Sequence, residues 1–377
     1  AEKLKEANKW EHKGLREVQI PKKNGKMRTL KIPTIADRAW QCLVKYALEP
    51  AHEATFHARS YGFRPGRSTH DAQRYVFTHL QGNKNSLNKR VIELDIEKCF
   101  DRISHSAMMS KVIAPQRIKK GLWRCLKAGV SPEFPEQGTP QGGVVSPLLA
   151  NIALNGIEEI HPSLRYADDM VFFLKPKDNA EKILEKVQQF LAERGMNISA
   201  EKTKTTRTTA GFDFLGWHFK VLGNGKYRCV PSEDNYEKFR KKIKAIVNNP
   251  ALATAAKAKK LTPIVRGWRN YHRYCKMDGS RFNLWSLNHS TFVKFKKDKN
   301  KGKEEAARLV QEAFPAVPYS VNGYVMVKGK KSPYDGDLLY WSKRNSKLYS
   351  GETEKALKRQ GYKCGRCGLY LDGKEKI

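Results

Sequence analysis

Tyr166-Ala167-Asp168-Asp169 sets two adjacent carboxylates between apolar segments, Leu164 on one side and Met170-Val171-Phe172-Phe173-Leu174 on the other. The pattern predicts strand, tight turn, strand. A hairpin turn of this kind holds both carboxylates where they can grip a divalent metal. Well upstream, Val91-Ile92-Glu93-Leu94-Asp95-Ile96 is a second strand ending in an acid. Mg²⁺ favours a few carboxylates together with substrate phosphates. Two such ions, about 3.5–4 Å apart, activate a 3′-hydroxyl and stabilise a leaving pyrophosphate. The two segments together point to nucleotide polymerisation.

Charge agrees. Lys and Arg number 72 against 38 Asp and Glu, a formal net charge of +34 over 377 residues. An excess of that size, spread along the whole chain, is the footprint of a polyanion binder with a large contact surface. The plainer alternative is a highly charged basic protein without such a partner. With 40% hydrophobic residues there is material for two or three domains. No apolar run approaches the roughly 18–20 residues that span a membrane, and residues 1–14 do not read as a secretory signal. The seven cysteines are scattered apart from Cys364 and Cys367, which implies a reducing, intracellular setting and no disulfide framework.

Local patterns fill in the rest. Residues 15–32 alternate around Lys23-Asn24-Gly25-Lys26, a hairpin signal; such a basic hairpin either folds over a triphosphate or is an ordinary surface feature. Apolar spacing predicts a helix over 36–48. Ser68, with Asp71 at the capping-box position, predicts another. Gly138-Thr139-Pro140-Gln141-Gly142-Gly143 is a backbone-exposing loop, and Ser146-Pro147 after it predicts a helix with a capping Ser. Ala180, Ile183, Leu184, Val187, Phe190 and Leu191 mark a helix that stops at Gly195. Paired strands are expected over 212–219 and 227–230. From about residue 231 the chain turns helical and basic. Arg266, Arg269, His272 and Arg273 interleave with Trp268, Tyr271 and Tyr274 over 261–275. That stripe is either core beside a solvated face or an RNA or DNA contact, and the density of Arg with aromatics favours contact. Residues 294–303 read as a charged linker, and 314–350 as short strands with basic loops. Cys364-Gly365-Arg366-Cys367 supplies two thiolates at zinc spacing, half a tetrahedral site; a redox pair is the alternative, without a surrounding βαβ pattern.

The order of these motifs resembles that of group II intron-encoded proteins, reverse transcriptases that also act as intron maturases. The residues carrying the resemblance are Gly25-Lys26-Met27-Arg28 with Ile32-Pro33-Thr34, and Tyr61-Gly62-Phe63-Arg64-Pro65-Gly66. They continue with Leu94-Asp95-Ile96-Glu97-Lys98-Cys99-Phe100-Asp101, Thr139-Pro140-Gln141-Gly142-Gly143, the Tyr-Ala-Asp-Asp hairpin, Ser199-Ala200-Glu201-Lys202-Thr203 and Phe214-Leu215-Gly216.

The resemblance implies an α+β right-hand polymerase. Residues 1–230 would be fingers and palm with an antiparallel sheet, 231–288 a helical thumb or maturase domain, 289–350 a small basic DNA-binding region, and 351–377 the start of an HNH-type endonuclease domain. Asp95, Asp168 and Asp169 would be the catalytic triad holding two Mg²⁺ ions. Phe100 would exclude the ribose 2′-hydroxyl. Gln141, Lys202, Lys26 and Arg28 would line the nucleotide pocket. Arg64 would touch template, and Arg266, Arg269 and Arg273 would touch RNA. Cys364 and Cys367 would be half of a Zn²⁺ site.

The implied activity is RNA-directed DNA synthesis by target-primed reverse transcription, together with help in splicing. The implied partners are one group II intron RNA in a ribonucleoprotein, target DNA and dNTPs, with no membrane. The setting would be the bacterial cytoplasm near the nucleoid, or an organelle. A reverse transcriptase of another retroelement lineage and a splicing-only maturase are the alternatives. The chain departs from the family pattern in beginning within the fingers and in the short stretch between Gly156 and Tyr166. Segments are expected to be missing there and at both ends, which leaves the strand pairing before Tyr166 open.

Overall fold

The computed structural model describes residues 6–21, 25, 27–81, 84–128, 135–277, 279–298, 302–319, 323–347, 349 and 351–371, with backbone alone at 28, 84, 85 and 280. Strands β1 (Arg16–Pro21) and β2 (Met27–Ile32) form the expected antiparallel hairpin, in register from Arg16↔Ile32 to Pro21↔Met27. Gly25 near its tip has φ +77°, a conformation that glycine takes without strain. Helix α1 (Ile35–Thr55) starts at Thr34, whose hydroxyl accepts the Asp37 N–H. It outruns the expected 36–48 and carries Pro50 within it. Burial of Trp40, Val44 and Leu48 along one face outweighs that local cost. Helix α2 (Thr69–Leu80) begins with the capping pair as read: Ser68 N donates to Asp71 Oδ2 at 2.8 Å, and Asp71 N to the Ser68 carbonyl at 3.1 Å.

Next come β3 (Arg90–Leu94), the short helix α3 (Cys99–Arg102), α4 (His105–Lys111), α5 (Gln116–Ala128) and α6 (Ser146–Leu154). Val145, not Ser146, occupies the cap of α6; the Ser146 hydroxyl instead donates to the Pro140 carbonyl at 2.9 Å and ties down the 139–143 loop. Strands β4 (Ser163–Tyr166) and β5 (Asp169–Leu174) pair over four residues, Ser163↔Phe172 to Tyr166↔Asp169, so the short approach to Tyr166 still completes its ladder. Helix α7 (Ala180–Ala192) is capped by Asn179, and the chain turns at Gly195, φ +75°. With β6 (Lys204–Arg207) the sheet order is β4-β5-β3-β6. Ile92, Leu94, Phe172 and Leu174 from this sheet share one core with Leu148, Leu149 and Ile152 of α6.

The strand expected over 212–219 is broken. Leu215 and Gly216 have φ +49° and +81°, so the segment doubles back as β7 (Phe212–Phe214) and β8 (Trp217–Val221), and β9 (Tyr227–Pro231) completes a three-stranded sheet. Helices α8 (Glu233–Val247), α9 (Thr254–Tyr271), α10 (Gly279–Phe282), α11 (Trp285–Lys296) and α12 (Lys303–Ala313) follow. Helix α9 starts before the expected 261. The expected linker over 294–303 overlaps a helix at each end, α11 running to Lys296 and α12 starting at Lys303; Leu287, Thr291 and Phe295 bury one face of α11. Trp217 stacks on Tyr271 (centroids 4.5 Å apart) and Phe239 on Trp268 (4.6 Å), so much of the aromatic stripe is core. Over 314–350 the described residues hold no strand; instead α13 (Leu338–Ser346) forms, followed by α14 (Gly351–Arg359).

The chain divides into two compact units, one of residues 1–75, 91–205 and 325–377 and the other of 76–90 and 206–324. Within the first, the late segment packs on the early one. Asp71 Oδ1 accepts the Val327 N–H at 2.8 Å, Arg67 donates to the Gly329 carbonyl at 2.8 Å, and the Gly66 backbone lies against Trp341. Among the described residues no helix is long and apolar enough to cross a membrane.

Candidate active site

The site is assembled at the ends of β3, β4 and β5. The two-residue turn Ala167-Asp168 joins β4 to β5 with Tyr166 opposite Asp169. Ala167 has φ +60° and is the one turn residue there with positive φ, the sign pattern of a type II′ turn. Asp168 is half-buried. Asp169 opens β5; the residue has solvent exposure, yet surrounding protein crowds its carboxylate. That crowding, with Asp168 and Asp95 nearby, pushes its pKa up to about 6 against the opposing pull of Lys202.

Asp95 follows β3. Its backbone is fixed on both sides: Ser199 N donates to the Asp95 carbonyl at 2.9 Å, and Asp95 N reaches Thr203 Oγ1 at 3.4 Å. The same segment delivers Lys202, whose ammonium lies 3.1 Å from Asp95 Oδ1 with 63% of its side chain exposed. An exposed pair of this kind contributes about 0–1 kcal/mol, so the ammonium is held lightly. Among the described residues no three His, Cys, Asp or Glu side chains stand close enough together to ligate one ion.

Phe100 is half-buried on α3, just after Lys98 in a left-handed conformation (φ +44°). Its carbonyl accepts the Thr139 N–H at 2.7 Å, and Gln141 Nε2 donates to Asp101 Oδ1 at 2.8 Å. The 139–143 loop is thereby stitched to α3. Its other side is held by Gln41, whose side-chain oxygen accepts the Val144 N–H at 2.7 Å, and Gly142 (φ +126°) lies against Lys31 and Ile32 of β2. These contacts bring the fingers hairpin to the loop that carries Gln141. Arg28 lies on β2, its side chain outside the described residues, as is all of Lys26.

Arg64 is not at a template surface. Its side chain and that of Glu53 are both 0% exposed; Nε and Nη2 grip the carboxylate, and Nη1 donates to the His57 and Ser60 carbonyls at 2.7 Å. With those donors spent in the interior, this arginine shapes the 57–67 loop, and the expected template contact does not fall on it. The three arginines expected to touch RNA also differ among themselves. Arg266 is exposed. Arg269 donates to the carbonyls of Phe314 (3.3 Å), Pro315 (2.7 Å) and Asn283 (3.3 Å). Arg273 is half-buried over the Tyr274 ring.

Cys364 and Cys367 flank a tight turn closed by Gly368 N to the Cys364 carbonyl (2.9 Å) and Cys364 N to the Leu369 carbonyl (2.8 Å). The backbone N–H groups of Cys367 and Arg366 lower the Cys364 pKa, which favours a thiolate.

Motif reading missed Arg165, Glu158 and Asn151, which lie beneath the turn. The available signal was a lone charge in an apolar strand and a lone polar residue in the apolar run Leu148-Leu149-Ala150-Asn151-Ile152-Ala153-Leu154.

Paired carboxylates on a tight hairpin, with a third just after the neighbouring strand, are the arrangement expected of a nucleotidyl-transferring enzyme. Residues 20–219 match the family model described as reverse transcriptase (RNA-dependent DNA polymerase), and residues 236–310 match the group II intron maturase-specific domain. Maturase-like protein 1 of Euglena gracilis is 34% identical over 328 residues, covering 85% of this chain and 71% of the relative. Group II intron-encoded protein LtrA of Lactococcus lactis subsp. cremoris is 28% identical over 289 residues, covering 56% of this chain and 47% of that protein. Among solved structures, apo telomerase from Candida tropicalis matches with a TM-score of 0.42 at 14% identity, covering 80% of this chain and 64% of that one. The chain belongs to the reverse transcriptase family, in the branch that carries a group II intron maturase domain, and is an RNA-directed DNA polymerase of that kind.

Proposed function

We propose that Asp95, Asp168 and Asp169 hold two Mg²⁺ ions for template-directed DNA synthesis primed at a DNA target, with the parent intron RNA as template. When bound, the ions lower the pKa of the attacking 3′-hydroxyl and neutralise the triphosphate. The observation that carries this reading is the placement of Asp168 and Asp169 at the β4–β5 turn with Asp95 at the end of the adjacent β3; burial, with the charges of Asp168 and Asp95 added, pushes Asp169 up to about 6. A dication would offset the repulsion that Asp169 meets from Asp168 and Asp95, so an all-carboxylate donor set suits the ion. Lys202, lightly held by Asp95, is free to swing to the incoming nucleotide's phosphates. Phe100 sets the floor under the sugar, and Gln141 orients the base pair from a loop locked to α3. Lys26 and Arg28 of the fingers hairpin reach the triphosphate from the other side.

In the same reading residues 1–230 are fingers and palm, 231–288 the thumb, and 289–350 a basic region that meets target DNA. The net charge of +34 suits a ribonucleoprotein with one intron RNA. Arg266 is the thumb arginine best presented for that RNA. Cys364 and Cys367 supply two of the four thiolate or imidazole ligands a structural Zn²⁺ requires. Elemental analysis of the full-length protein against its Cys364→Ser/Cys367→Ser form tests that assignment; equal zinc would dismiss it.

Primer extension on an RNA template tests the polymerase reading. Asp168→Ala should lower extension by about 10³-fold or more, while intron RNA binding stays near that of the unaltered protein. Near-normal extension by the variant, with contaminating polymerase excluded, would sink the triad assignment.

A further inference from the structure

We propose that Arg165 is the positioning residue of the catalytic turn: with Glu158 and Asn151 it fixes the Ala167 carbonyl and so sets where Asp168 and Asp169 stand. The proposal rests on the reading of those carboxylates as metal ligands.

The geometry is a closed ring. Arg165 lies on β4 just before the turn, and its side chain and that of Glu158 are both 0% exposed. Nε donates to Glu158 Oε1 at 2.6 Å. Nη1 donates to Asn151 Oδ1 at 2.8 Å and to the Ala167 carbonyl at 3.1 Å. Asn151 Nδ2 in turn donates to the Gly62 carbonyl at 2.9 Å. The Gly62 backbone lies against Ala167, closing the ring. The Arg165 backbone joins the same loop, donating to the Arg59 carbonyl (3.0 Å) and accepting the Tyr61 N–H (2.9 Å).

The arrangement answers a local problem. A left-handed alanine is disfavoured, and such a residue persists only where its surroundings over-determine it. Ala167 is so held, from inside by Arg165 and from outside by Gly62. A buried ion pair is weak evidence for stability, since apolar residues of similar volume often do as well or better. What apolar residues cannot do is donate to the Ala167 carbonyl. Burial opposes ionisation of Glu158, yet the adjacent Arg165 guanidinium holds its carboxyl below the ordinary range, so the partner stays charged. The planar guanidinium offers several donors in a fixed fork, which spans Glu158, Asn151 and Ala167 at once; a lysine ammonium does not match that shape.

The experiment separates this role from stability. Arg165→Met alone strands the Glu158 charge and should destabilise the protein. Arg165→Met/Glu158→Leu removes both charges and should recover most of the melting temperature. In the double variant, amide exchange of the 163–172 peptide, followed by mass spectrometry, should remain faster than in the unaltered protein. Mn²⁺ binding, followed by electron paramagnetic resonance with a primer–template bound, should weaken about 10-fold. In primer extension kcat should fall by about 100-fold, as for a reacting group displaced by about an ångström, with the dNTP KM little changed. Recovery of exchange protection, Mn²⁺ affinity and kcat along with the melting temperature would overturn the proposal, leaving Arg165 as core filling. If the double variant does not fold, Arg165→Lys, which keeps the charge and loses the fork, should show the same losses, and normal behaviour there overturns it equally. An unaltered protein that neither binds Mn²⁺ nor extends a primer would refute the metal reading, while hairpin exchange still reports on the lock.

Discussion

Gly62 and Ala167 touch through their backbones: a Cβ built on Gly62 would lie 2.3 Å from the Ala167 nitrogen. The loop carrying Tyr61-Gly62-Phe63 is therefore part of the support of the Ala167-Asp168 turn, although it lies far from the turn in sequence. Its own outer side is packed against the segment after residue 325, with Arg67, Gly66 and Asp71 as the points of contact. Support for the carboxylates thus runs from the turn through the 59–67 loop to a late segment of the same unit.

Gly62→Ala should disturb activity more than fold. The added methyl meets backbone rather than a flexible side chain, so loop and turn must move apart. Overpacking of this kind costs about 1–3 kcal/mol, visible as a lower melting temperature. Extension measured well below that temperature should fall by about 10-fold or more through misplacement of the carboxylates. Unchanged kcat would show that the turn does not depend on the loop.

Asp169 gives a signed pH dependence. Its pKa of about 6 lies above the ordinary 3.8, so the folded, metal-free protein holds a proton that the unfolded chain releases. The stability this proton contributes is present below about pH 4 and is lost as pH rises through about 6. Asp169→Asn should then raise the melting temperature of metal-free protein at pH 7 and leave it unchanged at pH 4. Asp169 is a solvent-exposed residue, and water screens the effect, so the rise should be on the order of 1–3 °C. At limiting Mg²⁺, extension by the unaltered protein should climb through pH 6 and shift to lower pH as Mg²⁺ saturates, because the ion binds the ionised form. A midpoint indifferent to Mg²⁺ would remove Asp169 from the metal site.

Phe100→Val should raise incorporation of rNTPs relative to dNTPs by about 10-fold or more, the scale on which a close-fitting pocket discriminates small groups. The measurement is the ratio of kcat/KM values for the two nucleotides. An unchanged ratio would reduce Phe100 to core packing, a role its half-buried position also allows.

The thumb arginines should separate into two kinds. Arg266→Glu should weaken RNA binding and lower the slope of log K against log salt by about one counterion, with the melting temperature unchanged. Arg269→Glu should lower the melting temperature instead, because its guanidinium joins the carbonyls of Phe314, Pro315 and Asn283. Equal salt slopes in Arg266→Glu and the unaltered protein would place the RNA surface elsewhere.

Much of this protein was legible in one dimension. The hairpin at Tyr166-Asp169, the acid at the end of β3, the Ser68–Asp71 cap and the helix ending at Gly195 depend on local pattern, where each residue's neighbours in sequence are its neighbours in space. Charge and the order of motifs identified a polymerase acting on nucleic acid for the same reason: composition and short motifs need no fold to be read. What the tertiary structure alone decided were the destinations of side chains that meet partners far along the chain. The family resemblance gave Arg64 a template contact, and only the approach of Glu53 made it interior. Arg269 has the same local context as Arg266, and only the chain's return at 314–315 separates their roles. The break at Leu215-Gly216 is held by partners later in the chain, the Tyr271 hydroxyl on the Leu215 carbonyl and the Ser232 N–H on the Gly216 carbonyl, and the helix at 338–346 buries Trp341 against the Gly66 backbone. Arg165 was one charge in an apolar strand until Glu158, Asn151 and Gly62 converged on it. A buried charge takes its meaning from whatever neutralises it, and that partner is chosen by packing in three dimensions.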